Sequence, residues 1–133
     1  MRLFKIRAEL RELRALSRED VEHLMAKDIF DILPTTRLKP GEGMLRFSRE
    51  RFSVPVSKEY YVLVSAFDVG GVQELVFMHE VFHIPLLRRG INVRQGEWLF
   101  NYVENRIDEA VLRFHKRWPL VVTEHFSRLL RVP

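Results

Sequence analysis

The chain contains no cysteine, so disulfides and thiolate metal sites are excluded, and any bound metal must be held by histidine and carboxylate. It also lacks an uncharged apolar run near the roughly 18 residues that cross a bilayer. The first residues, MRLFKIRAELRELRAL, are charged throughout and have no apolar core of a secretory signal. A cytoplasmic protein with no membrane span is the expectation. Repeats and low-complexity tracts are missing too, and 133 residues suit one domain, 1–133, with a real core. Asparagine and glutamine are scarce, which together with the missing cysteine would suit a thermophile.

Charge is plentiful by contrast. Lysine and arginine number 22 against 18 acids, for a net charge of +4, and 17 of the 22 are arginine. These residues are spread along the chain rather than gathered into one tract, so a solvated basic surface is expected and a nucleic-acid partner is not favoured.

Apolar spacing gives the elements. Leu3, Ile6, Leu10 and Leu13 predict an amphipathic helix over 2–15. Ser17, with Asp20 three residues on, predicts the N-cap of a second helix that runs to Leu33 and stops at Pro34. Residues 35–43 are rich in turn formers. Two strands are predicted next, one within MLRFSRERFSVPV, where Pro55 argues for an edge, and one over 58–67, KEYYVLVSAF. Gly70-Gly71 precedes a helix from about Val72 to Arg89, closed by Gly90, with a kink or early end expected at Pro85. A helix over 96–118 stops at Pro119, and the tail forms a short last helix. These elements make an α+β domain with a small, mostly antiparallel sheet.

The segment LVFMHEVFHIPLL, residues 75–87, is apolar except for His79, Glu80 and His83. Polar groups in such surroundings need partners to offset desolvation. One helical turn separates the two histidines, so both rings can reach a single ion, and H-E-x-x-H on a helix is a zinc-site pattern. Chance would generate it about 0.02 times in a chain of this composition. The plainer alternative is a pair of core histidines bonded to backbone carbonyls, with a solvated glutamate. The next helix offers a third ligand: Glu104 and Asp108 lie one turn apart at the edge of the stripe Phe100, Val103, Ile107, Val111, Phe114. Glu104 can turn inward as ligand, and Asp108 can accept the other ring N–H of a ligating histidine.

His79-Glu80-x-x-His83, followed by Glu104 and by Asp108 completing E-x-x-x-D, resembles the gluzincin clan of zinc metallopeptidases. The match is nearest to the minigluzincins, small soluble archaeal proteins similar to the catalytic core of membrane-integrated CaaX-prenyl endopeptidases. It covers roughly residues 54–114. The resemblance implies one zinc per chain held by His79, His83 and Glu104, with Glu80 polarising the attacking water and Asp108 orienting a histidine. It also implies that the strand before the active-site helix, around Tyr60–Ser65, pairs with an extended peptide or protein substrate. Pro85 directly behind the motif departs from the pattern. No oxyanion donor is fixed by it either: Tyr60, Tyr61, Tyr102, His115 and His125 are candidates, each more often a packing or surface residue.

The sequence therefore points to an active-site helix, a glutamate helix and flanking helices packed on the sheet, together forming a zinc-dependent endopeptidase. A latent form, with one of the chain's own ends over the cleft, belongs to the same reading. The alternatives are a catalytically silent, zinc-stabilised binding module and a basic nucleic-acid-binding domain with an accidental motif.

Overall fold

The structure, a computed structural model, describes residues 2–27, 29–47 and 60–131. Its described elements run α1 (Arg2–Arg14), α2 (Arg18–Lys27), β1 (Ile29–Thr35), β2 (Gly43–Phe47), β3 (Tyr60–Ser65), α3 (Gly70–Arg88), α4 (Phe100–Arg117) and α5 (Pro119–Leu129). The fold is α+β, as expected. The sheet is mixed rather than mostly antiparallel: in the order β1-β3-β2, β1 runs parallel to β3 and β2 antiparallel to it.

Ile6, Leu10 and Leu13 bury one face of α1. Ser17 caps α2 reciprocally: the Asp20 N–H donates to Ser17 Oγ at 3.2 Å, and the Ser17 N–H donates to the Asp20 carboxylate at 3.2 Å. That satisfies two N–H groups that the first turn leaves without helical partners. The predicted continuation to Leu33 is overturned, because α2 ends at Lys27 and Ile29–Thr35 is a strand. Apolar residues at 29, 32 and 33 fit either period. Pairing of Ile32, Leu33 and Pro34 with Val62, Leu63 and Val64 decides the matter, and β-branched residues suit it. Pro34 is tolerated because β1 is an edge strand, where a missing N–H need not break a ladder. The far side of β1 is met by the end of α5, where the Arg131 N–H donates to the Ile32 carbonyl at 2.9 Å.

Beyond Phe47, the rest of the predicted strand MLRFSRERFSVPV, including Pro55, lies outside the described residues. β3 is the middle strand. At its end the buried Ser65 hydroxyl donates to the Leu38 carbonyl at 3.0 Å, and the Gln73 amide donates to the Ser65 carbonyl at 2.9 Å. Both bonds tie the loop after β1 and the first turn of α3 to the sheet.

α3 is the hub, burying Phe77, Met78, Val81, Phe82, Ile84 and Leu86 between the sheet and the other helices. The helix continues through Pro85 to Arg88, so the expected early end after His83 does not occur. It closes at Gly90, which has a φ of +77°. The Ile91 N–H reaches back to Leu86 O at 2.8 Å and the Gly90 N–H to Leu87 O at 3.0 Å. This is the Schellman arrangement that favours glycine at that position. α4 lies against α3 through Val103, Ile107, Val111 and Phe114, with Phe82 and Phe114 in edge contact. No helix among the described residues is long and apolar enough to cross a membrane.

Candidate metal centre

His79 and His83 project from one face of α3 toward α4, where Glu104 meets them. The two Nε2 atoms are 3.2 Å apart, and His83 Nε2 lies 3.5 Å from Glu104 Oε2. The same carboxylate oxygen also contacts His79 Nε2. Asp108, one turn along α4, accepts from His79 Nδ1 at 2.7 Å. That bond places the Nδ1 proton and leaves Nε2 with its lone pair facing the other two atoms.

Atoms with lone pairs at these separations need a proton or a metal ion between them. A proton on one imidazole is the minimal answer, and the charges register it. Burial pulls His79 down, yet the hydrogen bond and charge of Glu104 outweigh it and push the imidazole up to about 9. Burial raises Glu104, yet its bonds to His79 and His83 bring it down to about 2. A proton can serve one pair at a time. A metal ion satisfies all three atoms at once, and tetrahedral bonds near 2.0–2.1 Å separate ligand atoms by about 3.3 Å. The group His79, His83 and Glu104 could hold such an ion.

Glu80 faces the same space. Burial pushes its carboxyl above the ordinary value, and the neighbouring histidine charges draw it only part of the way back. It lines a cleft of about 730 Å³ that also borders His79, Glu104 and Asp108. A second cavity, of about 280 Å³, shares Glu80 and Glu104 with that cleft and adds His83 and Asn92. The two form one trough, with the metal-ligating atoms at its waist.

β2 is the opposite wall, and here the sequence reading needs correcting. The strand expected to meet substrate, Tyr60–Ser65, is β3, whose two sides are already paired with β1 and β2. Gly43, Met44 and Leu45 of β2 line the trough instead. Gly43 explains how close that wall comes: a Cβ there would sit 2.3 Å from Val76 Cγ1 and 3.3 Å from Glu80 Oε1. Its signal in the sequence is a glycine opening an alternating strand, which marks a close backbone approach.

None of the five candidate oxyanion donors lines the trough. Tyr60 and Tyr61 are buried in the sheet, Tyr102 borders a separate cavity with α1, and His115 and His125 lie elsewhere. The neutral amide donors that do line it are Gln95 and Asn92, in the loop between α3 and α4. Nor do the described ends of the chain cover it: α1 and α5 contribute no lining residue and instead complete the core through Ile6, Leu10, Val122 and Phe126. No family model matches this chain, and no curated protein or solved structure matches it either.

Proposed function

We propose that the chain is a zinc-dependent endopeptidase. The carrying observation is the convergence of His79 Nε2, His83 Nε2 and Glu104 Oε2 on one point, beside a half-buried Glu80 in an open trough. Two imidazoles and one carboxylate suit zinc, and three protein ligands leave a position free for chemistry. Bound there, zinc would polarise a peptide carbonyl and make water a nucleophile near neutral pH.

The residues of the chain divide the remaining work. Glu80, whose carboxyl burial raises above its ordinary value, takes the proton of the attacking water and delivers it to the leaving amine. Asp108 holds His79 in the tautomer that presents Nε2. Asn92, which lines the half of the trough with His83 and Glu80, would donate to the carbonyl oxygen as charge develops. Gly43, Met44 and Leu45 of β2 line the trough, and an extended peptide lying along that wall would be held by main-chain hydrogen bonds. The other half of the trough is walled by Leu75, Val76, Phe100, Val111 and Leu112, which favours a bulky apolar side chain near the scissile bond.

The test is hydrolysis of an unfolded protein by zinc-loaded chain and by its Glu80→Gln variant. The amide keeps the shape but cannot take a proton, so activity should fall by about 10²–10⁴ with zinc still bound. A zinc-loaded wild type that cleaves nothing sinks the peptidase reading, and a fully active variant removes Glu80 as base.

A further inference from the structure

Tertiary structure gathers arginines that the sequence scatters. α1 and α4 lie side by side and run in the same direction. Residues 7–11 neighbour 102–106 in one cavity, and residues 13–16 neighbour 110–118 in the next. Arg7, Arg11 and Arg14 of α1 and Arg106, Arg113 and Arg117 of α4 line these two cavities in a row. All six are exposed. On α4 they occupy the flank turned away from Glu104 and Asp108, so the metal centre and this seam are opposite sides of one helix.

Acids do not neutralise the row. Of these six arginines only Arg106 has an ion-pair partner among the described residues, Glu109 at 3.0 Å. α1 places Glu9 and Glu12 on its other flank, where Glu9 reaches Arg89 at the end of α3. The segregation follows helical spacing: 7, 11 and 14 share a face, and 9 and 12 fall on another. Two aromatic rings are interleaved with the guanidinium groups. Arg106 lies over Tyr102, 5.4 Å from the ring centroid, and Arg117 over Trp118 at 4.4 Å.

We infer that the α1–α4 seam is a binding groove for single-stranded nucleic acid. Arginine forks match phosphate oxygens and stack on planar rings, which lysine cannot do. A positive groove is what a flexible strand needs: phosphates follow the charge, and bases stack on the outer faces of the guanidinium planes that Tyr102 and Trp118 back. The row on α4, from Arg106 to Arg117, is about 16 Å long, enough for several nucleotides. A membrane surface fits less well, because the arginines line concave cavities of about 160 and 90 Å³ rather than flanking an apolar plane. An acidic peptide would use the charge but leave the ring-backed guanidinium planes without a stacking partner. The inference is independent of the peptidase reading, because no metal ligand or trough residue takes part.

Fluorescence anisotropy of the whole chain with a labelled oligothymidylate of about fifteen nucleotides tests it. Five unneutralised arginines predict a slope of about −3.5 in log K against log salt between about 50 and 200 mM. The variant Arg7→Ala/Arg11→Ala/Arg113→Ala should bind at least about tenfold more weakly at the lower salt, with the slope reduced by about two. Arg37→Ala/Arg94→Ala/Arg128→Ala removes the same charge elsewhere and should change affinity less than about twofold, unless the field of the whole protein is responsible. Zinc stoichiometry and thermal melting confirm that each variant is folded. Should the first triple variant melt early, single Arg113→Glu takes its place with the same expected direction. Equal losses in the two triple variants would overturn the groove, as would no oligonucleotide binding at the lower salt. So would a polyglutamate peptide that competes as strongly as the oligonucleotide, or anionic vesicles that bind where the oligonucleotide does not.

Discussion

α3 and α4 are nearly equal in length, 19 and 18 residues, yet they hold their polar groups under opposite constraints. α3 packs between the sheet and the other helices through Phe77, Met78, Val81, Phe82, Ile84 and Leu86, so His79, Glu80 and His83 are exceptions within its apolar stretch 75–87 and each must be compensated. α4 is a stripe of apolar residues between two polar flanks, one carrying Glu104 and Asp108 and the other Arg106, Arg113 and Arg117. A polar group on α3 therefore announces itself within five residues of sequence. One on α4 acquires meaning only from what faces its flank.

The sharpest way to break the comparison is to remove a group from the buried helix. His83→Ala should take zinc from about one per chain to nearly none, because two ligands cannot hold a structural or catalytic ion. Metal analysis after gel filtration reads this directly, and equal zinc in wild type and variant would dissolve the site.

A smaller effect is expected on the exposed side of the pair. Asp108 is 60% exposed in its side chain and acts through His79, so Asp108→Ala should weaken zinc by about 10- to 100-fold without unfolding the chain. Competition with a chromophoric chelator measures it. Unchanged affinity would make the 2.7 Å contact with His79 Nδ1 incidental.

The mildest test varies only the proton. His79 sits at about 9 and Glu104 at about 2. Where no ion is bound, the His79 contribution to folding is complete below its ordinary value of 6.5 and is lost as pH rises through about 9. The Glu104 contribution is complete above 4.5 and is lost as pH falls through about 2. Zinc must displace the His79 proton, so its affinity should rise about tenfold per pH unit from neutrality and level off once that proton is gone, with about one proton released per ion. Calorimetry in buffers of different ionisation enthalpy counts the proton. Zinc affinity flat between pH 7 and 9, roughly, would mean that His79 carries no proton there.

Much of the candidate site was legible because its parts are local. H-E-x-x-H needs only a helix, and Glu104 with Asp108 needs only the edge of an apolar stripe. Gly90 and the Ser17–Asp20 cap were readable for the same reason, since their hydrogen bonds close within five residues. What could not be read depends on pairing across the chain. Ile29–Thr35 carries an apolar pattern compatible with helix or strand, and only its parallel register with β3 chooses. The resemblance points to Tyr60–Ser65 as the strand that meets substrate, but so apolar a strand tends toward the middle of a sheet, which leaves the edge beside α3 to Gly43–Phe47.

By itself, then, the sequence determined which residues could bind a metal, the Ser17 start of α2 and the Gly90 stop of α3, and that no thiol takes part. Spacing along a helix is fixed by its pitch, so groups one turn apart meet whatever the rest of the chain does. Only the tertiary structure decided which flank of α4 turns toward His79 and His83, which strand walls the trough, and that arginines ninety or more residues apart share one seam. The strand follows from the sheet order β1-β3-β2, and the two outcomes on α4 rest on burial of Val103, Ile107, Val111 and Phe114 in the core. That packing orients α4 and thereby sends its acids to one side and its arginines to the other.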